Sequence, residues 1–210
     1  MRLLAAQFQR LTTVHGLDSQ RLLAQLEEID RLNDRLREQT EGFRALKGIE
    51  VDILEDGGLD LPDAILGRQD LVIGAVHSKL HLNRAQQTRR ILKAMDHRHF
   101  STLAHPPGRL IDERESYDVD IVRVIRHARD RGCFLELNAH TERPDISDIH
   151  CQMAREEGAL VSIASDAHST LDFANVRYGI GQARRGWLEK QDVLNARPLQ
   201  ELLSLLSKTM

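Results

Sequence analysis

The chain has 210 residues, 41% of them hydrophobic and 29% charged, which suffices for one domain with a sizeable core and excludes a fibrous or wholly disordered protein. With 29 basic and 32 acidic residues the net charge is −3, which argues against holding nucleic acid by a bulk positive field. Aromatics at 4% leave few rings for stacking bases, so only a local basic site stays open. No run of about eighteen apolar residues occurs, and Met1 to Gln9 is too short and polar for a secretory core. Cys133 and Cys151 form no C-x-x-C pair, so the expectation is a cytoplasmic protein without a membrane span, a disulfide framework or a zinc ribbon.

Residues 1 to 18 carry no clear period and read as a lead-in. From Ser19 to Arg37, Leu22, Leu26, Ile29, Leu32 and Leu36 recur at intervals of three and four, which predicts a one-faced helix capped by Asp18 or Ser19. Phe43 to Leu54 is β-branched and aliphatic and ends at the turn signal Glu55-Asp56-Gly57-Gly58, so it predicts a strand. Leu71 to Val76 predicts a second strand, and a helix over Asn83 to Met95 leads to a third at Phe100 to Ala104, before Pro106-Pro107-Gly108. A helix over Asp118 to Arg129 precedes a strand at Cys133 to Leu137, and a helix over Asp145 to Glu157 precedes the fifth strand, Leu160 to Ala164. Beyond Asp166 come short helical or loop pieces, until Pro198 opens a last helix over Leu199 to Leu206. This β-α-β rhythm forces a parallel sheet, and the continuous apolar runs say that both its faces are covered. No repeat or linker divides the chain, so residues 19 to 210 form one domain.

Each apolar run delivers a polar group near its end. Glu50 lies late in the first strand, His77 follows the second, His105 the third, Asn138 the fourth, and Asp166 with His168 the fifth. In a barrel of parallel strands these ends converge on one face. The set Glu, His, His, Asp, His is ligand chemistry for Zn²⁺, Mn²⁺ or Fe²⁺ without thiolate. One histidine at a strand end is ordinarily a hydrogen-bonded loop residue, but five strands in succession favour a site. His97 and His99 precede the third strand and lie about 20 Å, one strand length, from the His105 end, so they read as surface residues. His15, His81, His127, His140 and His150 also take ordinary roles. Arg109, Arg143, Arg177, Arg184 and Arg185 lie after strands or in the tail, where a guanidinium fork suits a phosphate. No P-loop, G-x-G-x-x-G or G-x-S-x-G string occurs.

The strings LKGIEVDIL (46 to 54), DLVIGAVHS (70 to 78), LAHPPGRL (103 to 110), LELNAHTERPDISDIH (135 to 150), SDAHS (165 to 169) and RYGIGQARRGWLEKQDVLN (177 to 195) resemble the C-terminal PHP (polymerase and histidinol phosphatase) domain of bacterial family X DNA polymerases. The resemblance runs from about Asp18 to about Leu206. It implies an α/β fold, a distorted (β/α)₇ TIM-like barrel, with a trinuclear site for Mn²⁺ or Zn²⁺, Mg²⁺ being an alternative. It also implies phosphodiester hydrolysis in 3′ to 5′ exonuclease or DNA 3′-end repair, the substrate being a DNA 3′ end or another phosphate ester. Glu50, His77, His105, Asp166 and His168 occupy family ligand positions, with Glu50, Asp166 and His168 also catalytic. Asn138 and Arg143 match positions beside the site, and Arg109, Arg184 and Arg185 are further substrate-binding candidates. The family's opening His-x-His strand and T-D-H strand, upstream of the helix at Ser19, have no counterpart in this sequence. The expectation is therefore a partial barrel missing its first strands, with one His₂Glu metal position and weak or absent activity. Two bare sheet edges would then favour self-association or a complementing segment. A non-catalytic PHP-derived module that binds DNA or a polymerase, and a histidinol-phosphatase-like phosphomonoesterase, are the alternatives.

Overall fold

The computed structural model describes residues 4–7, 19–39, 43–108, 115–140 and 146–209. Six parallel strands form one sheet: β1 (Leu4–Gln7), β2 (Lys47–Asp52), β3 (Leu71–Ala75), β4 (Thr102–Leu103), β5 (Phe134–Asn138) and β6 (Val161–Ala164). Their order in the sheet is their order in the chain. Each return passes through helix: α1 (Ser19–Gln39), α2 (Asp63–Leu66), α3 (Arg84–Met95), α4 (Ile121–Arg131) and α5 (Asp148–Glu157), with α6 (Val176–Arg185) and α7 (Leu199–Leu206) after β6. Stepping one strand sideways at every crossover is barrel winding rather than the two-directional winding of an open nucleotide-binding sheet. Among the described residues no pairing joins β1 to β6, so the sheet is an open sector of a barrel.

The interval read as a lead-in contributes an edge strand. β1 pairs with β2 in parallel, Gln7 standing opposite Glu50. Four residues are too few to display a period, which is why the sequence hides it. Two helices start later than their apolar pattern suggests because polar caps set the boundary. Asp120 accepts from the Arg123 amide at 3.2 Å and Ser147 from the His150 amide at 3.3 Å. Pro198 sits at the cap of α7, one place before its first turn. The segment after Asp166, expected as short pieces, contains the ten-residue α6 in spite of Gly179 and Gly181. Gly179 is required by packing, since a Cβ there would lie 2.7 Å from Ile163 Cγ2 and 2.8 Å from Ala139 Cβ.

Register and alternation divide the sheet into two faces. On the outer face Ile49, Val51 and Val72 pack under Leu22 of α1 and Leu66 of α2. Ile53, Val76, Leu103, Leu135, Leu137, Val161 and Ile163 pack with Ile91, Met95, Val124, Ile125, Cys151 and Ala154 of α3, α4 and α5. The inner face is split along its length. At the N-terminal end Leu71 and Phe134 meet Leu202 and Leu206 of α7, which plugs the concavity. Thr209, just past α7, donates to Ser101 Oγ at 3.1 Å and ties the plug to the start of β4. Glu50 and Asp52 on β2, and Glu136 and Asn138 on β5, alternate onto the C-terminal half of that same face. The plug supplies the apolar floor, and the polar residues are left at the open rim.

Candidate metal centre

Glu50 is the fourth residue of β2, and His77 and His105 each lie two residues beyond the ends of β3 and β4. Parallel neighbours bring these three points together. Glu50 Oε1 is 3.2 Å from His77 Nε2 and 3.6 Å from His105 Nε2. The two imidazoles are tilted at 58°, with centroids 5.1 Å apart. Among the described residues these three form the one group of His, Cys, Asp or Glu whose ligand atoms all lie within 4.8 Å of one another. The chain turns sharply at His105, where φ is +30°, a left-handed value that costs a non-glycine residue about 1–3 kcal/mol. Two contacts hold the turn: the His105 amide donates to Glu136 Oε2 at 3.0 Å, and the Gly108 amide donates to the His105 carbonyl at 2.8 Å.

Burial and charge oppose each other here. Burial alone would raise the Glu50 carboxyl, but the close imidazoles of His105 and His77 outweigh it by their attraction and hold Glu50 well below the usual carboxylate range. For His77 burial works downward, yet contacts with Asp52 and Glu50 prevail and lift the imidazole to about 9. Even so, Glu50 Oε1 and both ring nitrogens of His105 are buried without a hydrogen-bond partner, the imidazole contacts to Oε1 being ion-pair distances without hydrogen-bond geometry. Buried polar atoms left unmatched are costly and uncommon. Three donor groups converging on one point with unmatched atoms fit a divalent cation held by Glu50, His77 and His105. A His₂Glu set suits Zn²⁺ or Mn²⁺.

The other sequence candidates fall elsewhere. Asp166 Oδ2 accepts from Asn138 Nδ2 at 3.0 Å, which links the ends of β6 and β5. His168 is 53% exposed and its Nδ1 lies 2.9 Å from the Asp166 main-chain oxygen. Neither joins the three-residue group, although Asp166 also takes a left-handed φ of +48°. Arg177, Arg184 and Arg185 stand exposed on α6; Arg185 pairs with Asp148 at 3.1 Å and the Arg177 guanidinium lies 4.7 Å from the Tyr178 ring centroid. Arg109 and Arg143 lie outside the described residues. His97 pairs with Asp63 at 3.0 Å at the opposite end of β4, away from His105. Two carboxylates passed over in the sequence adjoin the group: Asp52, whose Oδ1 accepts from His77 Nδ1, and Glu136 beneath His105. Their signal was a place two residues from a candidate on the same strand, Asp52 from Glu50 and Glu136 from Asn138.

The chain is 39% identical over 200 residues to the DNA polymerase/3′-5′ exonuclease PolX of Bacillus subtilis, an alignment covering 95% of this chain and 34% of that protein. It is 29% identical over 170 residues to a probable phosphatase of Thermoanaerobacter sp., covering 76% of this chain and 67% of the relative. The chain is homologous to both. It thus spans about a third of the length of the polymerase and two thirds of that of the probable phosphatase. Among solved structures, the histidinol phosphate phosphatase of Lactococcus lactis, crystallised with zinc, L-histidinol and phosphate, superposes with a TM-score of 0.61 at 12% identity. That match covers 88% of this chain and 80% of the other, and it establishes the TIM-like barrel fold. No family model matches the chain. Among the described residues no helix is long and apolar enough to cross a membrane.

Proposed function

We propose that the chain is a metal-dependent phosphoesterase of the PHP family acting on a phosphodiester at a DNA 3′ end. The observation that carries the first half is the meeting of Glu50, His77 and His105 at the barrel rim with unmatched buried donor atoms. The second half draws support from the 39% identity to a polymerase that is also a 3′-5′ exonuclease. Glu50, His77 and His105 hold one divalent ion, and two imidazoles favour Zn²⁺ or Mn²⁺ over Mg²⁺, which prefers all-oxygen sites. When bound, such an ion acidifies water and neutralises charge on phosphate oxygens. The protein orients the rest. Asp166, held by Asn138, and His168 are assigned to the substrate side on the sequence resemblance. On the sequence resemblance alone, Arg109, Arg143, Arg184 and Arg185 are assigned to the flanking phosphates, Arg185 after release from Asp148.

A second reading, a phosphomonoesterase, is favoured by the histidinol phosphate phosphatase fold and the probable-phosphatase relative. Purified protein supplied with Mn²⁺ or Zn²⁺ is to be offered a 3′-labelled oligonucleotide and, separately, a small phosphomonoester. Release of the 3′ label from the oligonucleotide alone, lost in Glu50→Gln, is the expected result. Turnover of the monoester alone selects the second reading, and failure with both by metal-loaded protein selects a non-catalytic DNA- or polymerase-binding module.

A further inference from the structure

Asp52 is a second buried carboxylate beside the cation site, only 9% exposed, two residues along β2 from Glu50 and on the same face. Its Oδ1 meets His77 Nδ1, while the opposite ring nitrogen of His77 faces Glu50 at 3.2 Å. We infer that Asp52 is a positioning residue: it holds Nδ1–H of His77, so that this ring offers Nε2 to the cation shared with Glu50 and His105. The inference rests on the cation reading of that site.

Several contacts set the carboxylate in place. The Asp52 amide donates to Asp60 Oδ1 at 3.1 Å, and the Asp60 amide returns a bond to the Asp52 carbonyl at 3.1 Å. One residue beyond each partner, the Ile53 and Ser78 carbonyls both accept from the guanidinium of Arg90, which is 2% exposed on α3. The Ser78 bond measures 2.9 Å. Arg90 therefore holds the ends of β2 and β3 at the separation that lets Asp52 reach His77. Two physical consequences follow. A neutral imidazole can present either nitrogen, and a carboxylate on Nδ1 removes the choice and makes Nε2 a stronger donor. Negative charge on Asp52, passed through the ring, also adds to that of Glu50 in offsetting the charge of a divalent ion in a low-dielectric pocket.

Asp52→Asn keeps the shape and an acceptor but removes the charge. In competition against a chromophoric chelator, with circular dichroism confirming the fold, it is expected to bind Zn²⁺ 10–100-fold more weakly than wild type. A second readout needs no variant at position 52: in wild type loaded with ¹¹³Cd²⁺ and ¹⁵N-histidine, the metal is expected to couple to Nε2 of His77 while Nδ1 keeps its proton. The His77 ring signals are assigned by comparing the metal-free spectra of wild type and His77→Gln and are then followed as the wild type is loaded. Wild-type binding with an unchanged Asp52→Asn affinity, or coupling through His77 Nδ1, overturns the inference and leaves the cation site standing. Failure of wild type to bind Zn²⁺ overturns the cation reading and this inference with it.

Discussion

His77 is poised between two carboxylates, Asp52 on one ring nitrogen and Glu50 on the other, and the metal-free protein answers by keeping the ring protonated to about 9 against an ordinary value of 6.5. A group whose folded-state value is raised stabilises the fold fully below its unfolded value, and that contribution is lost as pH rises through the folded one. Urea unfolding of chelator-treated protein is therefore expected to show stability declining between about pH 6.5 and 9, a decline that His77→Gln lacks; equal slopes for both proteins contradict the assignment. A bound cation must displace that proton, so zinc uptake is expected to release it and to tighten over the same interval. Residue by residue, His105→Ala is expected to abolish binding because both its ring nitrogens are buried and unmatched, whereas His168→Ala, 53% exposed and outside the group, is expected to retain the ion. The candidate ligands were legible because Glu50, His77 and His105 each interrupt or close an apolar run. Asp52 and Glu136 were not, since a carboxylate inside a strand gives no sign of which neighbour it supports until register brings that neighbour across.

At the scale of elements, the strands and long helices were legible from period and cap chemistry, while β1 and α6 were hidden for different reasons. β1 is only four residues long. α6 was expected only as short pieces; of its two glycines, Gly179 serves close packing against Ile163 and Ala139, and Gly181 faces open space. The helix ends in a Schellman arrangement, the Leu188 amide reaching the Ala183 carbonyl at 2.9 Å and the Trp187 amide the Arg184 carbonyl at 3.1 Å. Glycine ordinarily takes the left-handed position of this motif. Here Gly186 is spent one place earlier, where a Cβ would stand 2.2 Å from Cys151 Cβ, and Trp187 takes φ +62° while 71% exposed. Trp187→Gly relieves that strain and loses little packing, so equilibrium unfolding is expected to show a gain of up to about 1 kcal/mol. Gly186→Ala forces Cys151 aside and is expected to cost about 1–3 kcal/mol. A loss in the first variant or neutrality in the second would contradict this reading of the ARRGW segment.

Across the whole molecule, an open barrel sector must deal with its two edges, and they are treated unequally. The edge of β6 is covered. Val193 bridges Val161 in parallel, and the Asn195 side chain both accepts from the Ile163 amide at 3.0 Å and donates to its carbonyl at 2.7 Å, as a neighbouring peptide would. Of the two edges expected to be bare, that of β6 is covered; among the described residues no further strand pairs with β1. We propose that any self-association or complementing segment uses β1. Asn195→Ala is expected to destabilise the fold by about 1–3 kcal/mol by orphaning the Ile163 peptide groups. It should also raise the mass-averaged molecular weight in light scattering by uncovering β6, and an unchanged weight would count against the edge argument. The barrel winding, the α7 plug and the rim carboxylates all serve one claim, that Glu50, His77 and His105 grip a divalent ion. Its most direct test is elemental analysis of the purified, dialysed protein after exposure to Zn²⁺ or Mn²⁺, beside Glu50→Gln and His77→Ala. One ion per chain in the wild type and none in either variant is the expected result; a metal-free wild type, or variants that retain the ion, would contradict it.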